Sequence, residues 1–297
     1  MQLKWLEDFV ALAQTRNFSR AAELRHVTHP AFGRRIKALE AWAGTALIER
    51  DSSPLALTAA GASLLDNAQQ MVGTLGHARE ELLDAAGRHE NTVSLATGRT
   101  LARTLAADLL LRLRPLLAQG ELRILTRSLT DTAQMLERGE VDFMLIYHHP
   151  LLAVRLSARQ YAHLTLAQDK LVPVTRANAS GRAQHSFGAQ AATPYLAYAG
   201  TLALGRLVQD HLAHNPHAPR LRRVIECDSA DAVFEYARKG LGVAWLPWSM
   251  VSGACKAGQL VVLGDARLEV SFEVRVYRAK RRLNALAERM WQVLAKR

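Results

Sequence analysis

The sequence predicts an α+β chain built in parts: a small helical module at the N-terminus, one long helix, and a larger α/β region. Three patterns carry this. Apolar residues repeat at helical spacing up to Gly44, an apolar seam steps by fours and threes from Leu64 to Ala85, and after Gly87 short apolar runs alternate with helical stretches.

A chain of 297 residues exceeds one ordinary domain of about 100 to 200 residues. Its hydrophobic fraction of 49% supports packed cores, and its 22% of charged residues argues against both a disordered chain and a membrane protein. No apolar run approaches the roughly 18 residues of a spanning helix, and the opening residues Met1 to Asp8 already carry acids where an export signal is apolar. A cytoplasmic protein without membrane contact is expected. Two cysteines, Cys227 and Cys255, with no C-x-x-C spacing, fit a reducing compartment.

Trp5, Leu6, Phe9, Val10 and Ala13 form the stripe of a first helix, which Asn17-Phe18-Ser19 interrupts. Ser19 is placed to cap a second short helix through Ala21, Ala22 and Leu24, and Thr28 to cap a third with Pro30 in its first turn. Ala31, Ile36 and Leu39 give the third helix a buried side. His29, Arg34, Arg35 and Lys37 are left for its outer side, and Gly44 supplies the stop. The formal charge is +11, and between Arg16 and Lys37 Glu23 is the one acid among six basic residues. Two short helices joined tightly, the second basic on its outer face, make a helix-turn-helix suited to a DNA major groove. Phosphate contact falls to Arg34, Arg35 and Arg50, and base contact to His29 with Arg34. The competing reading is a helical module whose basic face is merely solvated.

The run "WLEDFVALAQTRNFSRAAELRHVTHPAFGRRIKALE", followed by "GTALIER" and "LALTAAG", resembles the winged helix-turn-helix of LysR-type regulators. Phe18, Ala21, Ala22, Pro30, Ala31, Ile36, Leu39, Glu40, Gly44, Arg50, Leu57, Thr58 and Gly61 carry the resemblance in order and spacing. It implies a DNA-binding domain over 1–61, a wing from Leu47 to Leu57, and a DNA face comprising Ser19, Thr28, His29, Pro30, Gly33, Arg34, Arg35, Lys37, Arg50 and Ser52. His29 stands where the family usually carries Gln, and Gly33 where it usually carries Ser, so two customary hydrogen-bonding groups are changed. The seam Leu64, Ala68, Met71, Leu75, Ala78, Leu82 and Ala85 spans 62–88. Packing on its own domain is one reading of it; the resemblance implies a linker helix that pairs subunits into a homodimer or homotetramer.

From residue 92 onward the apolar runs 92–97, 122–126, 141–147, 171–175, 195–198, 224–227, 243–246, 260–263 and 272–277 predict strands. Helices are expected over 101–117, 130–138, 203–214, 230–239 and 283–294. In such α/β layouts ligands sit beyond the carboxyl ends of strands. No nucleophile elbow, phosphate loop, dinucleotide fingerprint or H-E-x-x-H occurs, so neither an enzyme nor a cofactor is expected. His211, His214 and His217 form an H-x-x-H-x-x-H string, but Asn215-Pro216 ends the helix and scatters the rings, so no metal site is expected.

The family resemblance implies an effector-binding domain over 89–297 with two lobes of the periplasmic-binding-protein type, lobe I about 89–163 and 271–297, lobe II about 164–270. Crossings are placed near 154–164 and 268–271. "KGLGVAWLP" resembles the family's glycine-rich turn and buried strand. Candidate effector residues are Arg99, Thr100 and Arg103 after the first strand, Thr126 and Ser128 after the second, Tyr147 and His148 after the third, and Tyr198, Thr201 and Trp245 from the other lobe. Arg99, Arg103 and Arg127 beside hydroxyls favour an anionic ligand. Through "KWLEDF", "RNFS", "GVAWLP", "GQLVVL" and "NALAERMWQVL" the chain is similar to the branch with hypochlorite-responsive regulators. That similarity offers sulfur oxidation as another signal, at Cys227, Cys255, Met135, Met144 or Met250. The expected function is effector-modulated, sequence-specific binding of double-stranded DNA. The alternative is a small-molecule binding protein with impaired operator reading.

Overall fold

The computed structural model describes residues 1–49, 52, 55–85, 91–118, 120–152, 154, 156–188 and 191–296. The chain packs as two compact units, Met1–Arg88 with Glu137–Glu140, and His89–Leu136 with Val141–Arg297. The expected boundary at 88/89 lies outside the described residues, as does Arg50.

The first unit contains α1 (Leu3–Thr15), α2 (Phe18–Leu24), α3 (His29–Ala43), the hairpin β1 (Ile48–Glu49) and β2 (Ala56–Leu57), and α4 (Ala59–Ala85). Leu6, Phe9 and Leu12 of α1 meet Ala21 and Ala22 of α2 and Phe32, Ile36 and Leu39 of α3 in one apolar core. The main anchor at the start of α3 is therefore Phe32; Ala31 is only half-buried. Helix α2 starts one residue before the expected cap. Asn17 accepts a hydrogen bond from the Arg20 amide at 3.0 Å, and Ser19 lies exposed inside the helix. Asn17 is extended, and extended backbone aims a short polar side chain at the amides of the next turn. Thr28 does stand at the N-cap of α3, but its hydroxyl caps nothing. The turn between α2 and α3 closes at His26 with φ 52°, and Gly44 ends α3 with φ 70°. A left-handed residue costs about 1–2 kcal/mol for any side chain but is nearly free for glycine, which is why the α3 stop is legible in sequence and the His26 turn is not.

Helix α4 divides its seam between two environments. Ala68 is fully buried in the core of this unit, with Leu64 and Val72 packed beside it. Beyond them Met71, Leu75 and Leu82 are 50%, 51% and 72% exposed.

The second unit opens with β3 (Thr92–Thr97), α5 (Arg99–Arg103), α6 (Leu105–Leu117), β4 (Glu121–Thr126), α7 (Leu129–Glu137) and β5 (Phe143–His148). The long β6 (Tyr161–Arg176) leads to β7 (Thr193–Tyr198), α8 (Ala203–His214), β8 (Leu221–Cys227), α9 (Ala230–Arg238), β9 (Ala244–Pro247), α10 (Trp248–Lys256) and β10 (Leu260–Val262). The chain returns along β11 (Val270–Ala279) and ends in α11 (Ala285–Ala295). The main sheet has the order β10-β6-β11-β5-β3-β4, with β9 also on β6, while β7 and β8 form a separate parallel pair. β3 is parallel to both β4 and β5, so the loops after all three strands open on one edge. β6 and β11 run antiparallel from Leu171 opposite Val270 to Tyr161 opposite Ala279, and they join the two halves of the unit.

Three expectations change. The stretch 101–117 is two helices, because Thr104 leaves helical geometry (φ −98°, ψ −103°) and its hydroxyl bonds back to the Thr100 carbonyl at 2.8 Å. The strand expected at 171–175 is the tail of β6, whose earlier half mixes half-buried apolar residues such as Leu164 and Leu166 with exposed polar ones such as His163 and Thr165. Helix α10 was unforeseen; Asp169 supports its first turn, accepting from Ser249 Oγ at 2.6 Å and from the Ser249 amide at 3.2 Å. In α11 the motif "NALAERMWQVL" anchors the last helix. Asn284 caps it, and Glu288 takes both guanidinium nitrogens of the buried Arg278 at 2.7 and 2.8 Å.

Among the described residues no helix is long and apolar enough to cross a membrane.

Candidate functional site

Two surfaces gather the residues singled out in the sequence, one in each unit. In the first, α3 shows His29, Pro30, Arg34 and Lys37 exposed on the side opposite Phe32, Ile36 and Leu39. His29 opens the helix and its ring leans on Phe18, with centroids 5.9 Å apart. Gly33 lies on the same exposed side, and a β-carbon built on it meets nothing within 4 Å. The missing side chain therefore reflects neither packing nor backbone strain.

Arg35 behaves differently from Arg34. Its Nη1 donates to Oδ2 of Asp8 at 3.2 Å, while Nε of Arg25 donates to Oδ1 of the same carboxylate at 2.8 Å. Arg25 also pairs with Glu7. Asp8 is fully buried, so a charge at that position requires such partners. Two of the six basic residues between 16 and 37 are thus tied to acids of α1, and of the α3 cations Arg34 and Lys37 make no ion pair among the described residues. The periodicity showed Asp8 on α1 but not that it faces inward.

The wing hairpin explains Ser52. Its hydroxyl donates to the Glu49 carbonyl and accepts from the Ala56 amide, both at 2.9 Å, so it closes the turn between β1 and β2.

In the second unit a cavity of about 510 Å³ opens at the carboxyl ends of β3, β4 and β5 and faces the β7–β8 half. Arg99, Thr100, Thr126, Ser128, Tyr147 and Thr201 line it, as does Arg127. Across from the arginines the wall is Asp228, Ser229, Ala230 and Asp231, the loop and first turn of α9. Sequence reading missed this segment. Its signal was Ser229, which follows a strand and precedes a helical stripe, and whose Oγ accepts from the Ala232 amide at 3.3 Å. Ser128 likewise serves α7, accepting from the Asp131 amide at 3.2 Å and donating to the Asp131 carboxylate at 2.7 Å. Arg103 lies outside the lining but pairs with Asp231, which is part of it.

Four of the candidates, Arg103, His148, Tyr198 and Trp245, are not part of the cavity wall. Trp245 is fully buried in the strand β9, its ring packed against Phe187 and Tyr195 and its indole N–H donating to the Leu268 carbonyl at 2.8 Å. It is a core residue with its one donor satisfied. His148 follows Tyr147 along β5, and successive side chains point to opposite faces, so only the tyrosine looks into the cavity. His148 sits opposite Glu273 of β11, and burial and Arg275 lower its pKa. Tyr198 is buried, and burial pushes its phenol well above the usual range, as it does for Tyr147. Neither of these two buried hydroxyls has a hydrogen-bond partner among the described residues.

In the histidine string, His214 Nδ1 stays by Asp210, and Asn215 turns to His211 and to the Arg267 carbonyl. Among the described residues no group of three or more potential ligands could hold a metal ion.

Residues 3–62 match the family model "Bacterial regulatory helix-turn-helix protein, lysR family", and residues 86–297 match "LysR substrate binding domain". The chain belongs to the LysR family. It is a LysR-type transcriptional regulator with a helix-turn-helix and an effector-binding domain. Over 294 residues it is 28% identical to the HTH-type transcriptional regulator YjiE of Escherichia coli (strain K12), covering 99% of this chain and 94% of that one. Vibrio fischeri DarR, a LysR-type family member solved in complex with DNA, matches at 28% identity and a TM-score of 0.61, covering 100% of this chain and 99% of that one. Full-length HypT of Salmonella typhimurium, a hypochlorite-specific LysR-type regulator, matches at 27% identity and a TM-score of 0.59, covering 99% and 97%.

Proposed function

We propose that this regulator reads its operator with the exposed side of α3 and takes a small anionic effector in the cavity beside β3, β4 and β5. The observation that supports operator reading is the split of α3 into an apolar side packed on α1 and α2 and a free side carrying His29, Arg34 and Lys37. Of the DNA face inferred from sequence, Arg34 and Lys37 then serve phosphates and His29 base edges. Arg35 and Ser52 hold the helix-turn-helix and wing in shape, while the exposed Ser19 and Thr28 stay with the DNA face. The domain limits follow the sequence reading: 1–61 for DNA binding, 62–88 for the linker, 89–297 for the effector.

Met71, Leu75 and Leu82 on the outer seam of α4 support pairing of two such chains, which sets two α3 helices against two half-sites. Arg99 and Arg127 on the cavity wall, beside the hydroxyls of Thr100, Thr126, Ser128 and Thr201, support an anion. The oxidant reading, which the hypochlorite-specific HypT of Salmonella typhimurium brings to mind, has weaker support. Burial pushes the Cys255 thiol up, away from the reactive thiolate, and Met144 and Met250 are buried core residues. A reducing cytoplasm is the compartment proposed.

Gel shift of the purified protein on duplex DNA from the region upstream of its own gene tests operator reading. A discrete complex that survives competitor DNA, and is lost on His29→Ala, is expected. Non-specific binding alone would favour the alternative of impaired operator reading, which the open site at Gly33 keeps in play.

A further inference from the structure

Arg103 comes from α5, on the β3 side of the cavity, and Asp231 from the first turn of α9, on the opposite wall. Their side chains pair beside the cavity, which Asp231 lines, and the same guanidinium lies over the Phe234 ring of α9 at 5.4 Å from its centroid. This ion pair ties one wall to the other. We infer that Asp231 is a built-in competitor for the effector: the cavity admits a small carboxylate by exchanging this intramolecular carboxylate for the ligand's at Arg103. The inference rests on the anionic-effector reading above and adds how that site is regulated.

The pair is weak enough to exchange. Arg103 and Asp231 side chains are 49% and 38% exposed, so solvent screens them, and the ring contact adds a modest increment. Together such contacts shift an equilibrium by about tenfold, enough to set the spacing of two walls and little enough for a ligand to reverse. The charge balance points the same way. The side chains of Arg99 and Asp228 make no hydrogen bond or ion pair among the described residues, and Arg127 spends one donor on the Thr126 carbonyl at 2.8 Å. Displacing Asp231 therefore transfers Arg103 to a wall that already carries two cations. A carboxylate is the class that fits, because Asp231 shows that Arg103 accepts that group in this place. Release of Asp231 also frees the start of α9, so occupancy of the cavity is converted into a change in how the two walls are held.

The test uses the full-length protein with Arg103→Gln, Asp231→Asn and both together. Succinate and inorganic phosphate serve as probes by calorimetry, and amide hydrogen exchange is followed at 99–103 and 230–234 without ligand. Asp231→Asn is expected to tighten succinate about tenfold and Arg103→Gln to weaken it by a similar factor. The double variant should behave as Arg103→Gln, since Asp231 competes only through that arginine. Either single change should speed exchange on both walls. Succinate binding by the native protein that Asp231→Asn leaves unchanged or weakens would keep the anionic cavity and overturn the competitor. Additive effects, or exchange unaltered on the wall opposite the substitution, would overturn it as well. Tightening for phosphate but not succinate would overturn the carboxylate class. Binding of neither probe by any variant would remove the anionic cavity and the competitor together.

Discussion

Arg34 and Arg35 are neighbours on α3 that a sequence reading treats alike, and the structure separates them in a measurable way. Arg34 is exposed and makes no ion pair among the described residues, whereas Arg35 holds Oδ2 of the buried Asp8 at 3.2 Å. Each phosphate contact contributes about 0.9 to the slope of log K against log salt. If two chains bind together, Arg34→Ala removes two contacts and flattens the slope by about 1.8. Between 50 and 200 mM salt the native protein then loses roughly twelvefold more affinity than the variant. Arg35→Ala removes no phosphate contact. It leaves Asp8 with Arg25 as its remaining partner, and a partly stripped buried carboxylate costs about 2 kcal/mol of stability in the helix-turn-helix unit. Fluorescence anisotropy on a labelled duplex over a salt series measures the first effect, and urea unfolding followed by circular dichroism measures the second. Equal slope changes for both variants, with Arg35→Ala unfolding like the native protein, would refute the division of labour and return Arg35 to the phosphate face.

Other outcomes follow from the same contacts. Gly33→Ala places a methyl group in open space on a helix that glycine weakens, so it should stabilise the first unit by about 1 kcal/mol in urea unfolding; destabilisation would mean that the site is not open. Trp245→Phe keeps an aromatic ring in the core but strands the Leu268 carbonyl, and should cost about 1–3 kcal/mol without altering succinate affinity, which calorimetry checks. Arg278 holds the Glu288 carboxyl at about 2, below the ordinary 4.5. Because the folded value is depressed, the stabilisation is complete above about pH 4.5 and is lost as pH falls towards 2. Glu288→Gln should remove that acid sensitivity and lower stability at pH 7 by about 3 kcal/mol, since the buried guanidinium loses its counter-charge; unfolding curves at pH 3 and pH 7 report both.

Most of the architecture was legible because it rests on local rules. The stripe of α1, the stop at Gly44 and the strand–helix alternation each depend on residues a few positions apart. The failures have equally local causes. Asn17 displaced Ser19 as the cap because both are good caps and only the backbone angle decides. Thr104 split a helix whose apolar spacing runs through it undisturbed. In β6 the first half breaks its leucines with His163 and Thr165 and so carries no continuous apolar run, and its pairing with β11 is invisible before the two strands meet.

What the sequence determined by itself was the family, the order of elements and the residues at the ends of β3, β4 and β5, since strand ends and loop hydroxyls follow from periodicity. Tertiary structure alone decided which charges are free. Asp8 against Arg25 and Arg35, and Asp231 against Arg103, pair residues 17, 27 and 128 positions apart. An ion pair depends on distance in space, and chain order encodes that distance only after the core has packed.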